Sequence, residues 1–128
     1  MSTYADASDV ATRWGKDPAT LDTAVTNLIN VRLGDVERML KRRIPDLEQQ
    51  VTSGDLDVED VKQVEAEAVL RLARNPEGYL SESDGNYTYM LMQEISSGKL
   101  EILPDEWAIL GISSTGMFVI GPNAVRAT

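Results

Sequence analysis

The sequence predicts a mainly α protein: a small helical core of two long helices plus short helices, with a β-hairpin and an extended C-terminal tail. Three observations predict it. Apolar residues recur at helical spacing across 18–45 and again across 56–75, the pattern of helices with one buried face. Asp84-Gly85 lies between Tyr79-Leu80-Ser81 and the run Tyr87 to Leu91, and Asp-Gly between β-favouring runs signals a hairpin. Met117, Phe118, Val119 and Ile120 stand between Gly116 and Gly121, too short a run for a useful helix. At 128 residues the chain fits one domain. It divides into a helical body over 1–112, with the hairpin near 79–91, and a tail over 113–128.

The elements follow in order. Asp6 or Ser8 can cap a short first helix carrying Val10, Ala11 and Trp14, with Gly15 as its stop. Trp14 reads as a core anchor. Asp17-Pro18 opens a long helix, since Pro suits the first helical position. Its apolar stripe is Leu21, Val25, Leu28, Ile29, Val36, Met39, Leu40 and Ile44, and Pro45 ends it. Gly34 sits inside and weakens the helix by about 1 kcal/mol relative to Ala, so close packing or a bend is expected there. Lys41, Arg42 and Arg43 complement the dipole of the last turn, or meet an acidic neighbouring subunit. A connector over Asp46 to Asp55 carries a helical turn through Leu47 and Val51, broken at Ser53-Gly54-Asp55. The second long helix buries Val58, Val61, Val64, Ala68, Val69 and Leu72. It turns Glu59, Asp60, Lys62, Glu65 and Glu67 to solvent and stops at Asn75-Pro76. After the hairpin, Met92 to Ser97 forms a helical turn closed by Gly98. Pro104-Asp105-Glu106-Trp107 then starts a short helix that runs through Leu110 to Gly111.

Composition excludes several functions. The chain has neither Cys nor His, so it has no disulfide, no zinc site of the Cys/His kind, and no His base or Cys nucleophile. The formal net charge is -9, which repels phosphate rather than binding it. Only 18–45 is net positive. No apolar stretch approaches the roughly 20 residues of a membrane span, and Met1 to Asp9 has no basic region or apolar run, which predicts no export signal. The core must be aliphatic, because the chain holds one Phe, two Trp and four Tyr.

The candidates for chemistry are weak. Asp55, Asp57, Glu59 and Asp60 resemble a calcium loop only superficially. Val58 and Val61 interrupt them, no Gly occupies the sixth position, and they suit a helix N-terminus better. Gly111, Gly116 and Gly121 form no phosphate loop. Ser113, Ser114 and Thr115 have no candidate base. No enzyme and no cofactor is expected. The apolar tetrad of the tail either adds to another chain's sheet edge or groove or folds back on its own core.

Val69-Leu70-Arg71-Leu72-Ala73-Arg74-Asn75-Pro76-Glu77-Gly78, followed by Ser81-Glu82-Ser83-Asp84-Gly85-Asn86-Tyr87-Thr88, resembles a signature stretch of the head-to-tail connector, or adaptor, proteins of tailed bacteriophages, in particular those of actinobacterial siphophages. Arg43-Ile44-Pro45-Asp46-Leu47, Leu103-Pro104-Asp105-Glu106-Trp107 with Leu110-Gly111, and an early helix with Trp14 add to it. The order and spacing of these pieces over residues 5 to 112 carry the resemblance; 113–128 have no part in it.

The resemblance implies a virion protein of the capsid–tail neck, assembled in the host cytoplasm as a ring, usually of twelve copies. The ring lies below the portal, extends the DNA channel and docks a stopper or tail-completion protein. DNA would pass through without specific binding, past acidic lumen residues such as Glu59, Glu65 and Glu67. Met117, Phe118, Val119 and Ile120 would contact the portal. Asp84, Gly85, Tyr87 and Tyr89 would face a neighbouring copy or the stopper. Other expectations stay open: a small helical protein-binding module or regulator, or another phage neck or tail-completion protein.

Overall fold

Several helices of the computed structural model begin where an Asp side chain accepts a free N–H of the first turn. The structure describes residues 2–74 and 84–112, without the side chains of 84–87. Helix α1, Ala7–Trp14, is capped by Asp6, whose carboxylate accepts the Asp9 N–H while Asp9 accepts the Asp6 N–H in return. Gly15 ends it at φ 82°, a left-handed conformation that costs glycine nothing.

The long helix expected from Pro18 is divided. Asp17 caps a single 3-10 turn, Pro18–Thr20, and the chain is extended at Leu21. Asp22 then accepts the Ala24 N–H at 2.8 Å and starts α2, Thr23–Arg43. Two Asp caps five residues apart gather two separate N-termini, so the uninterrupted start at Pro18 is corrected. Helix α3, Leu47–Ser53, fills the connector and ends at Gly54. In α4, Val58–Arg74, the first turn is held by Asp57, which accepts the Glu59 N–H at 2.9 Å.

The hairpin is also corrected. Residues 79–83 lie outside the described residues, but Asp84–Ser97 is a helix, α5, and not a returning strand. Leu91 and Ile95, one turn apart, are its buried residues. Its packing against α2 and α4 rewards helical spacing over the two-residue alternation of Tyr87, Tyr89 and Leu91. A short α6, Pro104–Ile109, begins with Pro at its first position, and Glu106 reaches back to accept the Leu103 N–H at 2.9 Å.

Helix α4 is the centre. It packs on α1, α2 and α5, and Val61, Val64, Ala66, Ala68, Val69, Leu70 and Ala73 are buried on it. A helix apolar over most of its circumference belongs inside, and its alanines let neighbours approach. Ile29, Leu33, Val36 and Leu40 of α2 supply the facing layer, all fully buried. Gly98, after α5, is close-packed: a side-chain carbon there would collide with the Glu94 carbonyl and lie 2.7 Å from Leu72 Cδ2. Its carbonyl accepts from Arg32 of α2 at 2.7 Å. Ile112 is buried and its N–H bonds to the Trp107 carbonyl at 2.9 Å, so the tail leaves from an anchored point.

Candidate functional site

The described ionisable side chains inside this protein tie separate segments of the chain together. Glu37 of α2 is buried beside residues 2–5. It accepts hydrogen bonds from the Ser2 hydroxyl at 2.7 Å, from the Thr3 N–H at 2.5 Å and from the Thr3 hydroxyl at 3.1 Å. Burial pushes its carboxyl up, but the bonds from Ser2, Thr3 and Lys41 outweigh burial and hold it below the ordinary carboxylate value. Lys41 bridges Glu37 and Glu48, each at 3.1 Å, and its ammonium is held above the ordinary value by Glu48 and then Glu37.

Glu65 of α4 is fully buried. Its Oε1 is 2.6 Å from Ser2 Oγ and accepts the Ala5 N–H at 3.1 Å, while its Oε2 meets no protein partner. Burial is the main reason that its pKa rises to about 7, with Glu37 adding to the rise against the bonds from Ser2 and Ala5. A second strut ties α4 to α6: Arg71 donates to both oxygens of Glu106, at 2.7 and 2.8 Å, and to the Glu101 carbonyl. Such a two-pronged pair fixes direction as well as distance. Arg43, in the last turn of α2, lies 4.5 Å from the centre of the Trp107 ring.

These struts occupy the buried ionisable groups among the described residues. A hydroxyl beside a carboxylate could serve as nucleophile and base, yet Ser2 is buried between its two glutamates. The open cleft of Trp14, Lys16, Leu21, Asp22, Val25 and Leu91 has no convergent pair either. Asp22 caps α2, and Lys16 lies 4.8 Å from the Trp14 ring centre. Trp14 is half-buried against the core. Among the described residues no group of three or more acidic residues could hold a metal ion, and no helix is long and apolar enough to cross a membrane.

The expected contact residues are placed as follows. Met117, Phe118, Val119 and Ile120 lie outside the described residues. Asp84, Gly85 and Tyr87 belong to the first turn of α5, not to a hairpin tip. Tyr89 is on the same helix and is 67% exposed. Two more apolar side chains, Val31 of α2 and Ile109 of α6, are also exposed. Of the three acidic residues expected along a lumen, Glu59 is exposed and pairs loosely with Lys62, and Glu67 is partly buried. Glu65 is corrected: it faces the interior and has no part in a solvated face. The signal was in its register, since Glu65 stands four residues from both Val61 and Val69, inside the apolar stripe.

Comparison with known proteins adds what geometry alone does not. A family model described as "Phage protein Gp19/Gp15/Gp42" matches residues 13–120, which includes the tetrad Met117 to Ile120. The "Gene 19 protein" of Mycobacterium phage L5 is 52% identical over 126 residues, covering 98% of this chain and 98% of that protein. The "Gene 19 protein" of Mycobacterium phage D29 is similar to the same extent, 52% identical over 126 residues.

Proposed function

Since this chain belongs to the phage protein Gp19/Gp15/Gp42 family, we propose that it is a structural virion protein, a head-to-tail adaptor that forms a ring below the portal. The ring extends the DNA channel and docks the stopper or tail. The observation that carries the proposal is the use of the interior ionisable side chains. Buried Glu37, Glu65 and Glu106 and partly buried Arg71 are spent on contacts between chain segments, as suits a building block. The accessible surface is acidic overall with separate exposed apolar residues, Val31, Tyr89 and Ile109.

A ring of identical copies needs two different faces that meet head to tail. Helix α2 ends in Lys41, Arg42 and Arg43, whereas α4 begins with Glu59 and Asp60 after Asp55 and Asp57. Opposite charges at different places on one molecule favour contacts between unlike faces over contacts between like ones. Net negative charge lets a DNA backbone pass without capture. Glu59 and Glu67 remain as lumen candidates; Glu65 does not. The role is one of position and contact, with no catalytic step.

The portal contact is assigned to Met117, Phe118, Val119 and Ile120. Native mass spectrometry of the full chain mixed with the portal protein of its phage tests both assignments. A complex with twelve copies on one portal is expected, and deleting residues 113–128 is expected to lower portal occupancy at least tenfold. Full occupancy by the truncated chain would remove the tail from the contact, and no complex with the full chain would remove the adaptor role.

A further inference from the structure

Residues 2–5, ahead of α1, are hydrogen-bonded to α2 and to α4 through Glu37 and Glu65. The proton count at this junction decides its chemistry. Ser2 Oγ lies 2.6 Å from Glu65 Oε1 and 2.7 Å from Glu37 Oε1, and it accepts the Tyr4 N–H at 3.0 Å. A hydroxyl has one proton to donate. Two carboxyl oxygens at these distances therefore need a second proton, carried by one of the two glutamates. Glu37 has Thr3 and Lys41 as further donors, which favour its ionised form. Glu65 has one further donor, the Ala5 N–H, and a buried oxygen without a partner. A charge there would be poorly compensated, whereas the neutral acid can donate to Ser2 and complete the network.

We propose that residues 2–5 form a proton-operated latch, in which the protonated Glu65 donates to Ser2 and holds the segment against α2 and α4, and loss of that proton to water releases it. In the released state two carboxylates no longer compete for one hydroxyl, and the surface along α2 and α4 that the segment covers is exposed to water.

The charges that act on Glu65 are Glu37 and Lys41 of α2. Glu48 of α3 is joined to this group through Lys41, and the Tyr4 phenol of the segment itself is pushed up by burial and then by Glu48 and Glu37. The buried residues of α1 are Ala7, Val10 and Ala11, and those among the described side chains of α5 are Leu91 and Ile95, so none of these brings a buried charge to it. On α4 its neighbours one turn away are Val61, Lys62, Ala68 and Val69, and Lys62 pairs with Glu59 at 3.9 Å. Among these groups Glu65 is the one pushed up to about 7, chiefly by burial.

Amide hydrogen exchange of Thr3 and Ala5, corrected for the intrinsic effect of pH, tests the latch. Their protection is expected to fall about tenfold between pH 6 and pH 8, the change that linkage gives for this midpoint. In Glu65→Gln the carboxamide donates to Ser2 at every pH, and the protection is expected to stay level. A wild-type protection that does not change with pH, or an equal fall in the Gln variant, overturns the latch. If Glu65→Gln does not fold, carbon-13 titration of the Glu65 carboxyl in the wild-type protein decides: a midpoint near neutrality supports the latch, and an ordinary carboxylate midpoint overturns it.

Discussion

Replacing Leu33 by Ala is expected to lower the unfolding free energy by about 3 kcal/mol. Leu33 is fully buried on α2, the helix that packs on α1, α4 and α5. Truncation removes the transfer energy of the lost carbons and leaves a cavity that rigid helices fill poorly. In a domain of this size the midpoint of thermal unfolding falls by about 10 °C. Urea unfolding with an unchanged slope is the measurement. Val31→Ala is the control two residues away. Val31 is 57% exposed, and its loss is expected to shift stability by less than about 0.5 kcal/mol. Equal effects at both positions would contradict the burial of this face of α2.

The second large effect is on the pH dependence of stability. The Glu65 pKa is about 7 in the folded protein against an ordinary value of 4.5. Between these values the folded state binds a proton that the unfolded chain does not. The contribution is thus fully present below the ordinary value and is lost as pH rises through the folded one. The loss amounts to about 3 kcal/mol if the whole shift is expressed. Glu37 acts with the opposite sign in a different window. Its lowered value contributes stability above the ordinary carboxylate range, lost as pH falls through its folded value. Denaturant unfolding at a series of pH values is expected to show stability falling from about pH 5 to about pH 7, with the slope largely absent in Glu65→Gln. A level profile in the wild-type protein would contradict the burial of this carboxyl.

Much of the fold is readable from local chemistry. The Asp6 cap, the Gly15 stop, the end of α2 before Pro45, the course of α4 and the start of α6 at Pro104 follow from residues within one turn of each boundary. Two boundaries needed more. Pro18 fits the first turn of a helix, but Asp22 competes as a cap, and the choice between one helix and two rests on how Leu21 and Val25 meet the core. The α5 segment fails for a different reason. Tyr87, Thr88 and Tyr89 favour strands locally, and Asp84-Gly85 adds a turn signal. The helix instead follows the spacing of Leu91 and Ile95, which only the packing on α2 and α4 can reward.

The site was less legible. Tyr89 is exposed, as a contact residue must be, but it stands on a helix rather than a hairpin. Glu65 has the charge of a surface residue and the register of a core residue, and register wins because Ser2 and Ala5 supply its polar contacts. No spacing rule pairs residue 2 with residues 37 and 65, so the junction becomes visible only when the helices are assembled. The match of the phage family through residue 120 extends the likeness past residue 112, where the resemblance of the sequence ended, into the tail proposed above to contact the portal.

The proposed adaptor role rests on these features: interior ionisable groups that link segments of the block, unlike charges on α2 and α4, and the apolar tetrad in the sequence of the tail. Electron cryo-microscopy of tailed particles of the phage that encodes this chain tests it most directly. A ring of twelve copies between portal and tail is expected, with α2 and α4 in its wall and residues 117–120 against the portal. Purified, complete particles without this chain, or with it elsewhere than the neck, would contradict it.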